Sequence, residues 1–378
     1  FSRDPKKNGS IFNVEIRQRE LRELAIKLDS KLTMIYLLAP INVRGMGKSA
    51  ILVHQWKKLQ PATNITSVYV NALSGRGTPR DFIDNVVRAW HENGYLWQGL
   101  KDLLKKQTVI PQDVVDDIFA SYPEMPARID LGRYLYRGSV RAKIRELADW
   151  AASCCKGTLY EILEAYFRTY LSVPPDFLRT YASERKKIKG CDEIDCFRSI
   201  LELLRNSRYL HNYVFLDQFE YAIKSMGKSR ELVNFCSDMR RILEAATGYM
   251  TVSATLHLDA SNLLNIPECS PLTELAPPTP RYVVRTDALD TDQTRKLAVS
   301  YLECFRGEHS PPEKLYPFDE DSLTYIRDEF KGIVRRILKA LHFAIEEGRQ
   351  SNFIPITRDF LFQKHVQILD RAAAEVEE

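Results

Sequence analysis

The chain alternates between two hydrophobic rhythms. Over residues 14–31, Ile16, Leu21, Leu24, Ala25 and Leu28 recur at helical spacing with charges between them, which predicts an amphipathic helix. Residues 32–39 form a continuous apolar run rich in strand formers, as expected of a strand buried on both faces in a parallel sheet. A glycine-rich loop follows, and then a helix over 48–59. A second strand is predicted at 65–72, a turn-rich loop at 74–79, and a helix carrying Phe82, Val86, Val87 and Trp90. This β-α-β-α order predicts an α/β fold with a parallel sheet.

From about 94 to 206 only helical periodicity is visible, broken at Pro111, Pro123, Pro126, Gly132 and the Pro174-Pro175 pair. The stretch reads as a large all-helical insertion. Strand pattern resumes at 213–217, a helix follows at 230–247, and further strands are predicted at 249–255 and 281–285. Beyond Asp290 the pattern is helical: 291–305, 319–330 and 332–347 make a small all-α unit, and a last helix spans 357–375. The expected organisation is an α/β core over 1–93 and 207–289, a helical insertion over 94–206, a helical lid over 290–350 and a C-terminal helix over 351–378. No internal repeat is visible.

Composition narrows the classes. The chain has 378 residues, 44% hydrophobic and 28% charged, an ordinary globular mix. A net charge of +4 excludes a bulk-basic chain, so a nucleic-acid surface would have to be a local patch. Seven scattered cysteines do not make a secreted disulfide framework, and Cys191 and Cys196 lack a second ligand pair for zinc. No apolar run approaches the roughly 20 residues that span a bilayer, and no signal peptide is visible. A cytoplasmic protein without membrane partners is expected. The chain begins with Phe1 rather than Met, which reads as a piece of a longer protein.

The chemistry concentrates in Asn42-Val43-Arg44-Gly45-Met46-Gly47-Lys48-Ser49, followed by Ala50. Backbone N–H groups of such a loop can wrap phosphate oxygens, and the following helix adds its N-terminal dipole. Lys48 would reach the β- and γ-phosphates of ATP, and the Ser49 hydroxyl would bind Mg2+. Asn42 stands where the pattern has its first glycine, and Asn tolerates positive φ. The apolar strand ending in Asp217 supplies a second metal-supporting group. Gln218 occupies the position where a catalytic Glu commonly follows. Either Glu220 activates water from a shifted position, or turnover is slow and the site works as a switch.

Together these elements resemble the AAA+ ATPases, and most closely the branch of origin-recognition-type initiators and related ATPases of transposition and defence systems. The resemblance rests on Arg19-Glu20-Leu21 before the first strand, Val68-Tyr69-Val70-Asn71 in the second, and the P-loop. It covers about 12–94 and 207–348. Asp217-Gln218-Phe219-Glu220 looks more like the acidic motif of STAND-type signalling ATPases. The resemblance implies that Thr255, with His257 as a weaker candidate, is the sensor-1 polar residue. It also implies that Arg335 in Gly332-Ile333-Val334-Arg335 is the sensor-2 arginine on the lid, with Pro317-Phe318 part of the same lid pattern. An arginine finger could come from Arg240, Arg241, Arg281 or Arg285. The family's initiators carry a winged helix after the lid, where a single helix is expected here.

Arg133, Arg137, Arg141 and Arg145 recur every fourth residue and would share one helical face, able to track a nucleic-acid backbone or to pair with nearby acids. Arg185-Lys186-Lys187 with Lys189 is a second basic run. The expected protein binds ATP/ADP, hydrolyses ATP, and couples nucleotide state to assembly on DNA or a DNA-bound complex as a homo- or hetero-oligomer or with a partner protein. The alternatives are a STAND-like switch that oligomerises on sensing a ligand, and a nucleotide-binding scaffold with little turnover.

Overall fold

The computed structural model of the chain describes residues 14–39, 45–72, 78–96, 98–99, 102, 193–224, 229–256, 260–306, 311 and 313–377. In chain order the core contains α1 (Gln18–Asp29), β1 (Met34–Leu38), α2 (Lys48–Leu59), β2 (Ile65–Asn71), α3 (Pro79–Glu92), α4 (Glu193–Ser207) and β3 (His211–Asp217). It continues with α5 (Phe219–Lys224), α6 (Ser229–Ala245), β4 (Met250–Leu256), the short helices α7 (Ala260–Leu264) and α8 (Ser270–Leu275), and β5 (Val283–Arg285). All pairings are parallel, and the strand order is β2-β3-β4-β1-β5.

Alternate residues of each strand face opposite sides of the sheet. Met34, Tyr36, Leu38, Val214, Leu216, Val252 and Ala254 pack against α3, α4 and α6. Ile35, Leu37, Phe215 and Val284 pack against α1 and α2 through Leu21, Leu24, Leu28, Ile51 and Leu52. The fold is therefore a three-layer α/β core. Helix α4, read from the sequence as the end of the insertion, contributes Phe197, Leu201 and Leu204 to this core. Phe197 stacks on Trp90 with centroids 5.6 Å apart.

Helix starts are written locally. Thr78 and Asp81 form a reciprocal capping box ahead of α3, with Pro79 in its first turn. Asp290 and Asp319 cap α9 (Thr291–Phe305) and α10 (Glu320–Glu329) in the same way. With α11 (Val334–Gln350), these helices build the lid around Leu297, Leu323, Ile326, Ile337 and Leu341. The predicted last helix is divided into α12 (Arg358–Gln363), a π-helical turn over Val366–Asp370, and α13 (Arg371–Glu377). The predicted first helix opens as a 3-10 turn over Val14–Arg17. Ile16 of that turn belongs to the lid's apolar core, whereas Leu21, Leu24 and Leu28 belong to the sheet's, so this segment ties the two units together. Among the described residues no helix is long and apolar enough to cross a membrane.

Candidate functional site

The site lies where β1, β3 and β4 end, at the carboxyl edge that open parallel sheets present to ligands. The chain leaves β1 and re-enters a helix through Gly45 and Gly47, with φ of +85° and +88°. L side chains rarely adopt such angles, which explains the two glycines. Lys48 and Ser49 are the first residues of α2, with Gly47 as its N-cap and Ala50 half-buried behind them.

Asp217 is the last residue of β3 and is buried. Its Oδ1 accepts from Ser49 Oγ at 2.9 Å, from Thr255 Oγ1 at 2.6 Å and from the Gln218 N–H at 3.0 Å. Its Oδ2 accepts from the Tyr69 hydroxyl at 2.6 Å. The predicted Ser49, Asp217 and Thr255 therefore meet at one carboxylate. Thr255 ends up there because β4 lies between β3 and β1 in the sheet.

Gln218 has φ of +61°, and its N–H also donates to Thr255 Oγ1 at 2.8 Å. A left-handed residue here turns the chain sharply between β3 and α5. Beyond the turn, Glu220 is 2% exposed and Lys48 is 5% exposed. Burial brings the Lys48 ammonium down to a pKa of about 8, while Glu220 and Asp217 oppose that shift. Lysine and both carboxylates thus share one electrostatic environment.

The lid meets this site through its backbone. The Arg335 N–H donates to the Gly45 carbonyl at 3.0 Å, and a Cβ on Gly45 would lie 2.4 Å from Arg335 Cβ. Ala39, Met46 and Ile333 form a small buried cluster beside that contact. Arg17, which sequence reasoning did not single out, is buried behind the loop. It donates to Met46 O, Asp287 O and Glu20 Oε1, each at 2.8 Å. Its only signal in the sequence was a position two residues before the Arg19-Glu20-Leu21 motif. Tyr69 lies in the Val68-Tyr69-Val70-Asn71 strand motif, which by itself gives it no role.

The remaining candidates are placed elsewhere or not at all. Arg240 pairs with Glu244 at 2.7 Å and Glu274 at 2.6 Å, and Arg241 with Asp238 at 3.5 Å. Arg281 lies over the Tyr282 ring, and Arg285 ends β5 exposed. Asn42, Val43, Arg44, Arg133, Arg137, Arg141, Arg145 and His257 fall outside the described residues.

The donor set suits a metal-bound polyphosphate. It combines a hydroxyl and a carboxylate, the oxygen ligands Mg2+ prefers, with a buried lysine whose charge gains from a nearby anion. The N-terminus of α2 supplies further N–H donors.

No protein-family profile matches the chain, and no characterised protein matches it by sequence. Two solved structures are similar. Cdc6p from Pyrobaculum aerophilum shares 14% identity and a TM-score of 0.39, over 89% of this chain and 62% of that one. The Aeropyrum pernix ORC2 protein, solved as ADPNP–ADP complexes, shares 14% identity and a TM-score of 0.47, over 96% of this chain and 68% of that one. This chain therefore spans about two thirds of the length of either. By its own strand order and glycine loop, the chain has a P-loop-type α/β core with a helical lid.

Proposed function

We propose that the chain is an ATP-binding and ATP-hydrolysing module of the AAA+ kind, in which nucleotide state sets the position of the lid. The observation that carries this is the meeting of Ser49, Asp217 and Thr255 beside buried Lys48. Lys48 would bind the β- and γ-phosphates, together with N–H groups from the 42–50 loop. Ser49 would hold Mg2+, with Asp217 accepting the Ser49 proton so that the hydroxyl lone pairs face the ion. Bound Mg2+ would supply neutralisation of the phosphate oxygens.

In this reading Glu220 takes a proton from the attacking water. The left-handed turn at Gln218 supports that role by carrying Glu220 into the electrostatic reach of Lys48. Thr255 orients Asp217 and the start of α5 and so links the γ-phosphate position to both. Arg335 would reach the phosphates from the lid, and its backbone bond to Gly45 supports that proximity. Assembly on DNA or a DNA-bound complex is the proposed outcome of lid movement.

A specific observation favours a slower, switch-like variant. Asp217 already accepts four protein donors, and Gln218 stands where a second carboxylate would activate water. That arrangement suits a STAND-like switch whose nucleotide is held rather than rapidly turned over. An ATPase assay with and without DNA, run beside sizing with a non-hydrolysable ATP analogue, separates the two. DNA-stimulated turnover abolished by Glu220→Gln supports the DNA-coupled ATPase. Analogue-driven oligomerisation with negligible turnover supports the switch. Absence of nucleotide binding rejects both.

A further inference from the structure

We infer that Tyr69 is a positioning residue for Asp217, fixing the carboxylate so that Ser49 is left free to face a metal ion. The inference rests on the nucleotide-binding reading above and deepens it. In the β2–β3 ladder, Tyr69 pairs with Phe215 and Asn71 with Asp217. Tyr69 is therefore the diagonal neighbour of Asp217 on the same sheet face, a separation that aromatic side chains bridge. Its hydroxyl donates to Oδ2 at 2.6 Å, while the other three donors all converge on Oδ1. Oδ2 thus depends on Tyr69 among the described residues.

The ring is held in place by the glycine-loop helix itself. Trp56 of α2 packs against Tyr69 with centroids 5.8 Å apart and a 40° tilt. Trp56 is fastened to β2 twice: its Nε1–H donates to Ser67 O at 3.0 Å, and Ser67 Oγ donates to Trp56 O at 3.2 Å. Helix α2 therefore presents Ser49 to one carboxylate oxygen and braces the donor to the other. A carboxylate anchored at only one oxygen can rotate about its terminal torsion, which has broad wells. With a donor on each oxygen its plane is set, and Oδ1 stays where Ser49 must deliver its proton. Groups that orient a ligand in this way commonly contribute about ten-fold or more to metal affinity.

The test is the full chain binding a fluorescent ATP analogue, titrated with Mg2+ and repeated in EDTA. Ser49→Ala and Lys48→Ala serve as references. Tyr69→Phe removes the hydroxyl and keeps the ring against Trp56. We expect it to raise the Mg2+ concentration needed for half-maximal tightening by about ten-fold, with affinity in EDTA unchanged. A residue acting only through packing would weaken binding equally with and without Mg2+. The inference alone is overturned if Ser49→Ala abolishes the Mg2+ effect and Tyr69→Phe leaves it unmoved, or if Tyr69→Phe lowers both affinities together. If the wild-type chain does not bind the analogue, or Lys48→Ala binds it as well as wild type does, the underlying nucleotide reading falls and takes the inference with it.

Discussion

The Arg335 N–H donates to the Gly45 carbonyl at 3.0 Å, so the first turn of a lid helix rests on the glycine loop by a backbone bond. This contact exists because residue 45 lacks a side chain. A Cβ there would lie 2.4 Å from Arg335 Cβ, and φ of +85° would strain any L residue. Gly45→Ala is expected to cost about 1–3 kcal/mol in urea unfolding. It should also raise hydrogen exchange at the amide of Arg335. Wild-type stability and unchanged exchange would mean that the lid does not depend on this approach.

Arg17 joins the same loop to the connection between β5 and α9. One guanidinium serves Met46 O in the loop, Asp287 O between β5 and the lid, and Glu20 on α1. Arg17 and Glu20 are both buried, so removing the arginine alone strands a carboxylate away from water. Arg17→Met is expected to cost about 3–5 kcal/mol in urea unfolding, and Arg17→Met combined with Glu20→Met appreciably less. A double variant no better than the single one would show that the carbonyl contacts, rather than the ion pair, dominate.

A pH dependence follows from His211, the first residue of β3. Its Nε2 lies 2.9 Å from Thr251 Oγ1, and burial, aided by Lys31, holds its pKa down to about 4. In the unfolded chain the same group titrates at about 6.5. Because the folded state disfavours the proton, His211 contributes its full stability above about pH 6.5. That contribution is lost progressively as the pH falls toward about 4. Urea midpoints of the wild type and His211→Gln between pH 4 and 7.5 check this. The wild type should lose more stability across that window, whereas parallel curves would exclude His211 as the source.

The elements were legible wherever a local period or motif defines them. Helix α2 begins and ends at the expected residues, and β1 to β4 and the three lid helices lie within a few residues of expectation. The predicted strand at 281–285 shortens because Tyr282 N–H closes a turn onto Thr279 O, leaving only Val283–Arg285 in the ladder. The meeting of Ser49 with Asp217 could be anticipated because each is marked by its own local pattern. Arg17 and Tyr69 carry no such mark. Their partners are set by the β2–β3 register and by where the β5–α9 connection passes the glycine loop, long-range relationships that no local period encodes. The left-handed turn at Gln218 was equally hidden, since its residue type gives no warning of positive φ.

The central claim is that the loop ending in Lys48 binds a nucleotide triphosphate, and the direct measurement is the affinity of the purified chain for ATP with Mg2+, wild type against Lys48→Ala. Loss of a charged hydrogen-bond donor to phosphate predicts weakening of at least roughly ten-fold, with the fold preserved by circular dichroism. Equal affinity of the two proteins, or no binding by either, would contradict the account.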